Sequence, residues 1–162
     1  MAARSIVTYP DPVLRTEAKN VSRIDKSTRQ LVQDMVSTMR EAKGLGLAAN
    51  QIGVLQKVLV YDDGTGLRVV INPAVVKASG EQTAVEACLS VPGVQGDVKR
   101  SNEIVVKGIG ADGKRVKIKA EGMAARIIQH EMDHLNGTLF IDRADPDTIQ
   151  HVGEDEQEVP KE

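Results

Sequence analysis

The stretch Gln129-His130-Glu131-Met132-Asp133-His134-Leu135 decides how this chain is read. Around it, Met123, Ile127, Ile128, Met132 and Leu135 recur at helical spacing and Gly137 supplies a stop, so a helix is predicted from about Glu121 to Asn136. Residues four apart share one face of a helix. His130 and His134 can then present two imidazoles to one metal ion, with Glu131 beside them as a general base. The plainer alternative is a pair of core histidines.

Working outward, a second helix is predicted from about Ser27 to Lys43. Ser27 through Gln30 resembles a capping box, and Leu31, Val32, Met35, Val36 and Met39 form its apolar face. The methionines there read as core filler. Gly44 stops this helix and opens a loop of small residues, Gly44-Leu45-Gly46-Leu47-Ala48-Ala49-Asn50-Gln51. Strand-like runs follow at Lys57–Tyr61, Leu67–Ile71, Thr83–Cys88, Glu103–Gly108 and Arg115–Lys119, with hairpin signals at Asp63-Gly64 and Asp112-Gly113. Leu139-Phe140-Ile141 reads as a last short strand. Helix, several antiparallel strands, then helix argues for an α+β class: antiparallel sheets around a central C-terminal helix that carries the His-Glu-x-x-His motif, with a helix near the N-terminus.

The bulk properties bound the rest. A chain of 162 residues with 41% apolar content is predicted to form one domain, residues 1–145, with an acidic, loose tail over 146–162. Residues 142–162 carry eight acidic and two basic side chains, which leaves the body mildly basic. With two Tyr, one Phe and no Trp, the core must be aliphatic, and a base-stacking platform for nucleic acid is not expected. No stretch is long and apolar enough to span a membrane. Cys88 is the one cysteine, so it has no disulfide partner within the chain, which fits a reducing compartment. His151, in the acidic tail, reads as solvated.

The third metal ligand separates the classes of metallohydrolase. One extended motif needs a histidine where Phe140 stands, and Phe cannot bind a metal. A downstream glutamate is the next option, but Glu154 and Glu156 lie in the tail without a helical pattern. Upstream, Cys88 in Glu86-Ala87-Cys88-Leu89-Ser90 offers a thiolate, and beside two histidines that explains a lone cysteine better than a small buried hydrophobe does. Gly44, Gly46 and Ala49 loosely match a dinucleotide-binding fingerprint, but a helix precedes them where a strand is required.

Three segments in order, Gly44–Gln51, Glu86–Ser90 and Gln129–Leu135, together with the opening Tyr9-Pro10-Asp11-Pro12-Val13-Leu14-Arg15, resemble the peptide deformylase family over roughly residues 5–143. Ala87 departs from the glycine usual there. That matters if the position needs positive φ and is harmless if φ is negative. The tail also lacks the basic helix with which some members dock on the ribosome.

The resemblance implies removal of the formyl group from N-terminal formyl-methionine. Cys88, His130 and His134 would hold one divalent metal and leave a fourth position open, and Glu131 would carry the proton from water to the leaving amine. The Gln51 amide and the Leu89 backbone N–H would stabilise the oxyanion. The family's usual metal is Fe(II); the donor set also suits Zn, Ni or Co. Peptide backbone would pair near Leu45, Gly46 and Ala87, and the methionine side chain would meet Met123 and Ile127. Asp133 with Arg100 reads either as support for the site or as a surface ion pair of little worth. Expected partners are N-formylmethionyl peptides, with transient ribosome contact and no sequence-specific nucleic-acid binding. The expected location is the cytoplasm, or an organelle if a transit peptide has been trimmed. A zinc endopeptidase with another third ligand, and a binding module without turnover, stand as rivals.

Overall fold

The computed structural model describes residues 3–153 and 161–162. Helix α1 spans Lys26–Glu41, and its start is set by Asp25. The Asp25 carboxylate accepts from the Thr28 N–H while the Thr28 hydroxyl accepts from the Asp25 N–H, so the capping box lies two residues before the expected Ser27–Gln30. After α1 come β1 (Gly46–Ala48), β2 (Val58–Asp62), β3 (Leu67–Ser79), β4 (Gln82–Cys88), β5 (Val91–Arg100), β6 (Glu103–Ile109) and β7 (Arg115–Glu121). The motif helix α2 spans Gly122–Leu135, followed by the short α3 (Phe140–Arg143) and by β8 (Gln150–His151).

All strand pairs are antiparallel. One sheet has the order β1-β2-β3-β6-β7, the other β4-β5-β8. The alternation of β2 explains the layering. Val58 and Val60 face a cluster with Leu31, Met35 and Met39 of α1, whereas Leu59 and Tyr61 face one with Ile127, Ile128 and Leu135 of α2. The larger sheet is thus covered by a helix on each side, which is why β2 reads as a continuous apolar run. A third cluster joins the smaller sheet to its cover: Cys88, Val91 and Val98 pack against Leu14, Leu139 and Phe140.

Two expectations give way. Leu139-Phe140-Ile141 is not a strand; Leu139 caps the single turn α3, its N–H bonded to Asp142. Nor is the region after 145 loose where it is described. Pro146–Thr148 forms a 3-10 turn capped by Asp145, and β8 adds to the free edge of β5. Backbone pairing to an open edge has no apolar signature, so composition did not reveal it. The His151 side chain is exposed. Residues 154–160, which include Glu154 and Glu156, lie outside the described residues. Among the described residues, no helix is long and apolar enough to cross a membrane.

Candidate active site

Helix α2 and strand β4 converge on one buried point. Helix α2 brings His130 and His134, whose ring centroids lie 5.0 Å apart. Gly137, at φ +77°, ends the helix just beyond them. Strand β4 brings Cys88 at its end. Its register with β5 is regular up to Ala87–Gln95 and then jumps to Cys88–Val91, so the extra residues lie on β5, around Gly93, and β4 runs unbroken to the cysteine. The Cys88 Sγ lies 3.3 Å from His134 Nε2, and ligand atoms of Cys88, His130 and His134 all fall within 4.8 Å of one another. The sulfur also faces the Ser90 N–H at 3.4 Å and the Gln51 Nε2 at 3.8 Å.

These residues fit a divalent metal on the structure's own showing. His130 Nε2 is buried with no hydrogen-bond partner among the described residues, which leaves its lone pair free. Its other nitrogen, Nδ1, lies 2.9 Å from the Glu86 carboxylate, the partner that fixes a ligating imidazole in place. A thiolate and two imidazoles are three protein ligands, the number that a catalytic rather than a closed structural site supplies.

Glu131 is fully buried, and neither carboxylate oxygen has a hydrogen-bond partner among the described residues. Burial pushes its pKa up to about 8. A carboxylate left bare beside a metal site and poised near neutrality suits a general base. Its space depends on Gly46, where an added Cβ would stand 2.5 Å from Glu131 Oε2 and 2.8 Å from Ile127 Cγ2. Gln51, also buried, is held by the Ala48 N–H on its oxygen and by Ser90 Oγ on its nitrogen.

Behind His130 the polar groups are paired. Glu86 receives Arg100 through Nε and Nη2 at 2.9 and 2.8 Å, and also Arg126 through Nη1. Burial opposes its charge, but the hydrogen bonds from Arg100 and His130 hold its carboxyl well below the usual range. Arg100 reaches on to Asp133 at 2.5 Å, and Arg143 grips Asp133 from outside at 2.6 and 2.9 Å. Asp133 and Arg100 are therefore a buried bridge within a network, not a surface pair.

Sequence reasoning missed Glu86, Arg126 and Ser90. A signal existed for the first two. Glu86 is two residues before Cys88 on a strand and so shares its face, and Arg126 is four before His130 on a helix.

Other expected residues are placed as follows. Ile127 is fully buried against Gly46, whereas Met123 is 47% exposed. Ala87 is buried, and the non-glycine residues with positive φ among those described are Lys43 and Asn72, so the methyl imposes no left-handed strain. The Leu45 and Leu89 N–H groups and the Ala87 carbonyl all bond to Lys161 and Glu162.

The family model for polypeptide deformylase matches residues 3–150. The chain belongs to the peptide deformylase family. It is 50% identical over 153 residues to the peptide deformylase of Syntrophobacter fumaroxidans, covering 91% of this chain and 90% of that one. It is 44% identical over 170 residues to that of Thermomicrobium roseum, covering 98% and 96%. The crystal structure of peptide deformylase from Thermotoga maritima superimposes with a TM-score of 0.87 at 41% identity, covering 90% of this chain and all of that one.

Proposed function

We infer that this protein is a metal-dependent hydrolase that removes the N-formyl group from the N-terminal formyl-methionine of newly made polypeptides and releases formate. The observation that carries this is the convergence of the Cys88, His130 and His134 ligand atoms within 4.8 Å of one another, with Glu131, next to His130 in the chain, buried and without a hydrogen-bond partner among the described residues. Cys88, His130 and His134 are the residues that would hold the cation. When bound, a divalent ion supplies a Lewis acid that makes water a nucleophile near neutral pH. Fe(II) is our first assignment, with Zn, Ni or Co as alternatives for the same donors.

The chain's own residues do the rest. Glu131 takes the proton of the attacking water and delivers it to the departing amine. The Gln51 Nε2 and the Leu89 N–H donate to the oxygen on which charge develops. Leu45, Gly46 and Ala87 line the peptide's path, and Ile127 and Met123 meet the methionine side chain. Residues 1–145 act as one catalytic unit. The partners are N-formylmethionyl peptides, with transient ribosome contact and without sequence-specific nucleic-acid binding, in the cytoplasm.

The test is formate release from a short formyl-methionyl peptide by protein purified without oxygen and loaded with Fe(II) or Ni(II). Release by the wild type, lost in Glu131→Gln and Cys88→Ser, is the expected result. No formate from metal-loaded wild type would sink the assignment.

A further inference from the structure

Two sheet edges are left open at the site. Strand β1 is the terminal strand of the larger sheet and β4 that of the smaller one. Such edges present unpaired N–H and C=O groups that invite an added strand. Here the chain's own residues Lys161 and Glu162 lie between them. The Leu45 N–H, just before β1, donates to the Lys161 carbonyl at 2.9 Å. The Glu162 N–H donates to the Ala87 carbonyl at 3.2 Å, and the Leu89 N–H donates to the Glu162 backbone oxygen at 2.9 Å. Lys161 and Ala87 form a parallel bridge.

We propose that this groove has an intramolecular partner, the segment Lys161–Glu162, which docks as an added strand across both edges and competes with peptide substrates. The word substrate rests on the deformylase reading; the docking does not. The side chain of Glu162 marks how deep the segment goes. It is 3% exposed, with Oε2 3.4 Å from His130 Nδ1, beside one of the expected metal ligands. Gly44 keeps the floor clear, since an added Cβ would stand 2.7 Å from Leu89 Cδ1 and 3.6 Å from the Lys161 carbonyl.

The docking is built to be displaced. Glu162 Oε2 is buried without a hydrogen-bond partner among the described residues, which weakens the occupant relative to an apolar side chain. What favours it is tethering. The preceding chain is anchored on β5 by β8 and by the Val152 N–H on the Gly93 carbonyl. A short tether supplies a second binding event at an effective concentration of about millimolar. A tethered competitor of this kind raises KM and leaves kcat unchanged.

The experiment compares the full chain with a variant lacking residues 154–162 and with Glu162→Pro, which removes both the N–H and the carboxylate. Amide hydrogen exchange at Leu45 and Leu89 is read first, because it needs no turnover. We expect protection at both amides in the full chain, falling at least tenfold in both variants. Equal protection in all three proteins overturns the docking. Protection that rises with protein concentration overturns the intramolecular assignment in favour of a second copy. Formate release is read next. KM should fall about threefold or more in the truncated protein at equal kcat, and a synthetic peptide of residues 153–162 should raise it again. An unchanged KM in active protein overturns the competition. Loss of protection without formate from any variant sinks the deformylase reading and leaves the docking standing.

Discussion

Two fully buried carboxylates flank His130 and are treated in opposite ways. Glu86, behind the ring, accepts from Arg100, Arg126 and the imidazole, and its carboxyl lies well below the usual range. Glu131, toward the cleft, accepts from nothing described, and its pKa is raised to about 8. Both are removed from water, so burial alone cannot explain the divergence. The difference is the supply of positively charged donors. Pairing makes Glu86 a fixed charge that orients a ligand, and its lack makes Glu131 a group able to take and return a proton. One wall of the site is finished and the other is left open for chemistry.

The contrast is broken most severely by removing the proton carrier. Glu131→Gln keeps the shape of the open side, and formate release should fall by about 10²–10⁴-fold with no loss of thermal stability. A residual rate within tenfold of wild type would move the base elsewhere. On the paired side the effect should appear in folding. Glu86→Ala leaves Arg100 and Arg126 facing a void, and urea unfolding should show a loss of about 3–5 kcal/mol. The milder Glu86→Gln should still fold but bind metal about 10–100-fold more weakly, as read by competition with a chelator.

The two carboxylates should also give stability opposite slopes with pH in metal-free protein. Glu86 has a lowered pKa, so its contribution is present above the usual 4.5 and is lost as pH falls through its folded value. Glu131 has a raised pKa, so its contribution is present below 4.5 and is lost as pH rises through about 8. Unfolding curves across this range should show Glu131→Gln flattening the alkaline loss and Glu86→Gln flattening the acid loss. The same slope in both variants would refute the contrast.

The open wall was far more legible in sequence than the paired one. His130, Glu131 and His134 stand within one helical turn, and their spacing states their chemistry. Cys88 was reached because a lone cysteine demanded a reason. The paired wall is assembled from β4, β5 and α2, and no local pattern shows that Arg100 and Arg126 meet at Glu86. Strands β2, β4, β6 and β7 were read to within two residues, since alternation and turn chemistry are local, whereas β3 was expected only as far as Ile71 and runs on to Ser79. By contrast β5, with Gly93 and Gly96 inside it, and β8, two polar residues on an edge, carry little apolar signal. Ala87 shows a third case. Its effect turned on a backbone angle that one residue type cannot disclose, and the structure gives that angle as unstrained.

The smallest effect sharpens the comparison at its outer limit, where the paired wall meets solvent. Asp133 is held from inside by Arg100, whose side chain is 3% exposed, and from outside by Arg143, which is 50% exposed. The distances are similar, so geometry alone assigns the two arginines equal worth. Desolvation does not. Water screens the outer pair, and an exposed pair contributes about 0–1 kcal/mol. Removing the inner arginine leaves Glu86 with Arg126 and His130 and leaves Asp133 with only its exposed partner. Arg143→Met should therefore cost about 1 kcal/mol or less and leave metal affinity unchanged, while Arg100→Met should cost several times as much and weaken metal binding. If the two variants lose equal stability, distance and not burial sets the strength of this wall. The account of why Glu86 and Glu131 diverge would then need another cause.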